Sequence, residues 1–181
     1  MRQVATVLAL VSTAGLAACS GSDEAAKERA EKVIEAQMAK DGSAAKVELS
    51  PGGFKATTTD ASGKTNQMEV GAANVSEADL GVRFYPGTKP GEGQSSRVTA
   101  PTGSSMTVML HSGDAVPKVA DFYRGELKAK SAGKQFVEMG GGDDGVVFSL
   151  SDDQSKSVTQ VAISKADNGT DVQIMAHRSA P

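Results

Sequence analysis

The sequence predicts an α+β fold in which two amphipathic helices accompany a set of short antiparallel strands. Two stretches, 23–40 and 114–130, carry apolar residues at the three- to four-residue spacing of a helix face. Most other segments are short, alternate between apolar and polar residues and end in Gly- or Pro-containing turns, as strands do. We therefore expect an N-terminal helix plus a β-meander, followed by an antiparallel sheet with one packed helix in the order ββαββββ.

The first predicted helix covers residues 23–40. Ser22 is suited to the N-cap position, and the acidic residues directly after it favour the positive end of the helix dipole. Glu28 and Lys32 form a supporting i,i+4 pair, and Asp41-Gly42 ends the helix. The stripe that we expect to face the protein consists of Ala26, Ala30, Val33, Ile34 and Met38.

Three strands are predicted next, at residues 46–50, 54–59 and 65–70. Pro51-Gly52-Gly53 separates the first two, and a turn at 60–63 separates the second pair. Residues 23–71 are thus expected to form a helix with a three-stranded meander. Residues 72–96 are expected to form a connector, with a helical turn around 76–80.

Residues 97–181 are predicted to form an α+β domain. It begins with a hairpin of residues 97–100 and 105–111. Asp114 is placed to cap the following helix, where Pro117 is tolerated in the first turn. Gly125 weakens that helix by about 1 kcal/mol relative to Ala, and close packing against the sheet is one reason for a glycine there. Four strands follow, at 135–139, 145–150, 158–165 and 170–177, and Asp167-Asn168-Gly169 joins the last two as a hairpin.

A turn and a helix face in this half carry a resemblance to known proteins. Tyr85-Pro86-Gly87 suits a turn in which Gly takes positive φ, and the helix presents Val119, Phe122, Tyr123 and Leu127. Over roughly residues 82–178, this pattern resembles small bacterial lipoproteins and secreted proteins of uncharacterised role. These are core and turn residues, so the resemblance implies a fold and no active site.

The N-terminus has the three parts of a secretory signal. Arg2 supplies positive charge, an apolar run follows at 4–11, and small residues lead to Cys19. The run is much shorter than the roughly 20 residues that span a bilayer. The alternatives are an ordinary signal peptide with a chance cysteine and an N-terminal helix of a cytosolic protein.

Leu16-Ala17-Ala18-Cys19 matches a lipobox, so the chain resembles the bacterial lipoproteins at this point. Cys19 is also the one cysteine of the chain. The resemblance implies a signal peptide at residues 1–18, cleavage before Cys19, lipidation of its sulfur and a short tether at 19–22. Two or more acyl chains anchor a protein stably. Because Ser20 is not Asp, the resemblance implies the outer membrane, facing the periplasm, if the host is Gram-negative.

The charge of the chain is mildly acidic and evenly spread. The formal charge is −3. Loss of residues 1–18 removes one cation, Arg2, and no acid, which makes the charge one unit more negative. A nucleic-acid partner would require clustered Lys and Arg, so we expect none.

The sequence offers few candidates for catalytic or metal chemistry. His111 and His177 each end a predicted strand, and together with an Asp they could form a metal or base site. Asp143-Asp144 and Asp152-Asp153 could hold Ca²⁺ in flexible turns, but their spacing is not that of an EF-hand. Simple edge histidines and solvated acidic turns are the alternative interpretations.

No other motif indicates an enzyme. The nucleophile elbow Gly-x-Ser-x-Gly and the phosphate loop do not occur in the chain, and Gly103-Ser104-Ser105 is interpreted as a turn before a strand. We therefore predict no catalytic residue, cofactor or metal, and lipidation at Cys19. The expected function is a membrane-anchored, non-catalytic binding or structural domain with a possible envelope protein partner. The alternative is an envelope enzyme, or an enzyme inhibitor of the immunity type.

Overall fold

The structure is a computed structural model that describes residues 23–39, 43–71, 73–91 and 93–180. Three predictions lie outside the described residues: the signal peptide with Cys19 and its tether, the Ser22 cap, and the helix stop at Asp41-Gly42.

The described residues form three helices and nine strands, and each helix is followed by a run of two to four strands. The helices are α1 (Asp23–Met38), α2 (Glu77–Leu80) and α3 (Val116–Lys128). The strands are β1 (Ala44–Ser50), β2 (Gly53–Thr59), β3 (Thr65–Val70), β4 (Ser95–Ala100), β5 (Gly103–Ser112), β6 (Gln135–Gly140), β7 (Gly145–Asp152), β8 (Ser157–Ala166) and β9 (Gly169–Ser179).

All of these strands join one sheet. It has nine strands in the order β1-β2-β3-β4-β5-β9-β8-β7-β6, and every pairing is antiparallel. The α+β class with an antiparallel sheet is confirmed. The detailed layout differs from the predicted one, because the meander is hydrogen-bonded to the later strands through β3 and β4. The helical turn predicted around 76–80 is present as α2.

The last strand holds the two parts of the sheet together. β9 lies between β5 and β8, and its ladder with β5 runs from Gly103↔Ser179 to Ser112↔Thr170. Gly103 has φ +145°, and a Cβ there would come within 2.2 Å of the Arg178 carbonyl oxygen. β5 therefore begins with a glycine because the backbone of β9 approaches it closely. The predicted turn at Gly103-Ser104-Ser105 is wrong, since these residues are already in β5.

The main core lies on one face of this sheet. Val119, Tyr123 and Leu127 of α3 are fully buried, and α3 packs on β7, β8 and β9. Their four-residue spacing places them on one side of the helix. On the strands, alternate residues such as Val108 and Ile174 point into the same core.

The outer edge of the sheet is covered by α1. Glu35 Oε1 accepts a hydrogen bond from the Val47 backbone N–H at 2.8 Å, and Glu31 Oε1 accepts one from the Leu49 N–H at 2.7 Å. These two N–H groups of β1 point away from β2. An edge strand that exposes such groups is open to pairing with another chain. In this protein, the carboxylates of Glu31 and Glu35 accept these N–H groups in place of another strand.

This docking overturns the predicted apolar stripe of α1. Val33 is 63% exposed and Ile34 36%, and Ala26 and Ala30 are exposed as well. Only Met38 of that stripe is partly buried. The helix faces a row of backbone N–H donors, so its acidic face lies inward and most of its apolar residues lie outward.

Two predictions about α3 are also wrong. Its N-cap is Ala115, which makes no side-chain capping bond. Asp114 instead accepts hydrogen bonds from the Tyr85 hydroxyl at 2.6 Å and from Lys118 Nζ at 2.9 Å. Gly125 is not closely packed, because a Cβ there would meet nothing within 4 Å. Pro117 does lie in the first turn, as predicted.

Candidate functional site

The two histidines lie far apart on the sheet. His111 pairs with Asp171 on the adjacent strand β9, whereas His177 lies six residues further along β9, opposite Ser105. Six residues of strand span about 20 Å. A metal ion or proton shared by the two imidazoles is excluded by this distance. His177 Nδ1 lies 3.1 Å from Ser105 Oγ and has no carboxylate within salt-bridge distance in the described residues.

The two acidic pairs are separated as well. Asp143-Asp144 lies in the β6–β7 turn and Asp152-Asp153 at the opposite end of β7. The Asp152 carboxylate accepts the backbone N–H groups of Gln154 and Ser155, which closes the β7–β8 turn and lowers its pKa. Within the described ranges, no group of three His, Cys, Asp or Glu side chains is placed to hold a metal ion.

Among the described residues, no helix or loop covers the sheet face opposite the core from β4 to β6, and we call it the open face. Strand alternation and register assign its side chains. They are Ser96 and Val98 of β4; Ser105, Thr107, Met109 and His111 of β5; Asp171, Gln173, Met175 and His177 of β9; Val158, Gln160, Ala162 and Ser164 of β8; Val147, Ser149 and Ser151 of β7; and Val137 and Met139 of β6.

Most of the exposed large apolar side chains in the described residues lie on the open face. Seven large apolar side chains are exposed in the described part of the chain, and five of them lie here: Val98, Met109, Met139, Val158 and Met175. The other two are on α1. Cross-strand pairing places Met109, Gln173, Ala162, Val147 and Met139 in one row across five strands.

The open face also carries almost no charge. Lys and Arg are absent from it, and Asp171 is its one carboxylate, although 23% of the chain is charged. A solvated sheet face normally carries polar residues. The lack of charged residues at these outward positions is the sequence signal that we missed. The six strands and three central rows of side chains cover roughly 500 Å² in projection. Polar side chains such as Thr107, Gln160 and Gln173 share this area with the apolar ones, so the apolar surface is only part of it.

The one ionisable pair of the open face is at its end. His111 Nδ1 lies 2.8 Å from Asp171 Oδ1, and His111 Nε2 lies 3.1 Å from the Asn168 carbonyl oxygen. Both partners are hydrogen-bond acceptors, so they favour the imidazolium, which donates from both nitrogens. The hydrogen bond to Asp171 is the main cause that raises the pKa of His111 above its ordinary value.

A wider groove lies on the other side of the molecule. Its volume is about 680 Å³, and residues 73–78 form one wall, with Phe84, Pro90 and Ser95 on the other sides. Its one ionisable side chain is Glu77, whose Oε1 accepts the Phe84 backbone N–H at 2.7 Å. That carboxylate oxygen thus helps to hold the backbone at Phe84 in place.

Comparison with known proteins gives no relative for this arrangement. No family model matches the chain, and neither a curated protein nor a solved structure matches it significantly. In the described residues, no helix is both long and apolar enough to span a membrane.

The His111–Asp171 pair predicts a pH dependence. Because the pKa of His111 is raised from 6.5 in the folded protein, protonated His111 stabilises the fold below about pH 6.5. This contribution is lost as the pH rises through the folded-state pKa. Asp171→Asn should lower the His111 pKa in an NMR titration of its ring protons. It should also make the stability change between pH 6 and 8 smaller.

The matched control is Asp167→Asn, in the turn just before β9. It should leave the His111 titration unchanged, because Asp167 is not a hydrogen-bond partner of His111. An unaltered His111 pKa in Asp171→Asn would show that the pair does not set it.

Proposed function

We propose that this chain is an envelope lipoprotein whose domain binds another protein through the open face and catalyses no reaction. The observation that carries the binding role is the partly apolar open face, which has the His111–Asp171 pair and no Lys or Arg, beside a core that is complete without it. The anchoring role depends on Leu16-Ala17-Ala18-Cys19, with lipid on Cys19. The proposed location is the outer membrane facing the periplasm in a Gram-negative host.

The chemistry of the open face defines its partner. Its one carboxylate is matched by His111, so a strongly charged surface would lose its hydration without gaining an opposite charge. A nucleic acid would need Lys and Arg against its phosphates. The occupant that fits is an uncharged, partly apolar surface of an envelope protein. Methionines such as Met109 and Met175 adapt to irregular surfaces because their side chains are unbranched and flexible.

The anchor is tested by changing its cysteine. Cys19→Ser should abolish incorporation of labelled fatty acid and release the domain from the membrane fraction, because the sulfur that would carry the lipid is gone. Ser20→Ala, one residue further along, should leave labelling intact. Persistence of the labelled band in Cys19→Ser would contradict the lipoprotein assignment.

The open face is tested by site-specific photocrosslinking in cells that carry the full chain. A photoreactive amino acid at Met175 should give an adduct of discrete mass. The same group at Asp121, an exposed position on α3, should give none. Introducing Met109→Glu in addition should remove the Met175 adduct, because an unpaired carboxylate buried in a contact costs several kcal/mol.

Equal adducts at both positions, or a Met175 adduct that survives Met109→Glu, would contradict a specific uncharged contact. An adduct of twice the chain's mass would identify the partner as a second copy.

A further inference from the structure

A small basic cleft opens on the helix-bearing side of the sheet, away from the open face. Its volume is about 150 Å³. The Gly81 turn, the segment after α3, the β7–β8 turn and the ends of β8 and β9 meet there. The side chains that matter are those of Lys130, Lys134, Arg178, Asp152, Ser155 and Ser157. We call this site the basic cleft.

Positive charge exceeds negative charge in the basic cleft. Three cations line it together with one carboxylate, that of Asp152. Lys134 Nζ lies 3.7 Å from Asp152 Oδ2, and Lys130 Nζ lies 3.6 Å from Glu126 Oε2 outside the cleft. These separations are longer than a hydrogen bond. Within the described residues, neither ammonium group is therefore in a close ion pair with a carboxylate, in a chain whose overall charge is negative.

Arg178 is held in place by neutral oxygens. Its Nη2 donates to the Leu80 carbonyl at 2.7 Å and to Thr159 Oγ1 at 3.0 Å. Its Nη1 donates to the backbone carbonyls of Val158 and His177. No carboxylate forms a salt bridge with this guanidinium in the part of the chain that the structure describes. Burial lowers its pKa, which reflects a charge withdrawn from water without an opposite charge beside it.

Hydroxyl groups and size restrict what the basic cleft can hold. Ser155 Oγ and Ser157 Oγ lie 2.8 Å apart at its rim. One hydroxyl donates to the other, which leaves one O–H to donate to an acceptor oxygen of a ligand. At about 30 Å³ per water molecule in the liquid, the cleft has room for roughly five waters. This is room enough for one small oxyanion.

We propose that the basic cleft binds a small oxyanion, with phosphate as the type of ligand. The carrying observation is a fixed, partly buried arginine that has only neutral partners, flanked by two lysines that lie 3.6 and 3.7 Å from their carboxylate neighbours. Arg178 and Lys130 also bond to the carbonyls of Leu80 and Gly81, so these two cations stand in fixed positions before the anion arrives. Lys134 is free to turn from Asp152 to the ligand. Free phosphate and the phosphate of a lipid headgroup share this chemistry.

The test is a titration of the full-length protein with inorganic phosphate at constant ionic strength, with chloride as the reference anion. Backbone amide NMR signals of Ser155, Ser157 and Thr159 should shift and saturate with phosphate and not with chloride. Lys134→Gln should weaken binding about three- to tenfold, because it removes one cation and none of the bonds that hold the Leu80–Gly81 turn. Lys118→Gln, which removes a lysine paired with Asp114 at the other end of α3, should leave the affinity unchanged.

Vesicles form the second arm of the experiment. Binding of phosphatidic acid vesicles over phosphatidylcholine vesicles, weakened by Lys134→Gln, would assign the same chemistry to a lipid headgroup. The proposal is overturned if neither free phosphate nor these vesicles bind. It is equally overturned if chloride gives the same shifts or if Lys134→Gln and Lys118→Gln behave alike. The open face takes no part in this test, so its outcome is separate from that of the proposed function.

Discussion

The ladder between β5 and β9 is the interaction on which the rest of the structure depends. The last strand of the chain inserts beside the fifth and pairs with it over the full length of β5. On its other side, β9 pairs with β8. Without β9, the strands β1–β5 and β6–β8 would be two separate antiparallel sheets. Val172, Ile174 and Ala176 on β9 also supply the centre of the core beneath α3.

Because of this arrangement, we expect the strands at the two ends of the sheet to differ in stability. The main core contains residues of β5, β7, β8 and β9, together with α2, α3 and the segments near α2, and none from β1, β2 or β3. Val47 and Ala56 are buried opposite each other on β1 and β2, outside that core. The N-terminal strands are hydrogen-bonded to a stable neighbour at one end and covered by α1 at the other. The carboxylates of Glu31 and Glu35 on the β1 edge take the place of a further strand.

Most of the fold could be predicted because local patterns determine it. Alternation and turn residues predicted the strands to within a few residues, and β3 was predicted without error. The exposed stripe of α1 could not be predicted, since helical periodicity shows which residues share a face and not what that face meets. Asp114 was misassigned for a similar reason. Its partner Tyr85 lies 29 residues away in the sequence, and a capping rule considers only neighbours.

The candidate sites were less predictable because they are made by strand register. Sequence reasoning noticed His111 and His177 by residue type, and register separated them. It overlooked Met109 and Met175, which are distinguished only by lying on a face that carries almost no charge. Arg178 was overlooked as well, because only the folded chain shows that this arginine has no carboxylate partner among the described residues. In contrast, the proposal of lipid on Cys19 depends only on its neighbours in the sequence.

Native-state hydrogen exchange tests most directly the claim that the core lies under β5 and β7–β9 and supports the remaining strands. Amides of β9 should exchange only through global unfolding, with the full free energy and denaturant dependence of that reaction. Amides of β2 should exchange through a smaller opening, with lower values of both. Equal free energies and equal denaturant dependence for β2 and β9 would contradict the account, because the nine strands would then share a single cooperative core.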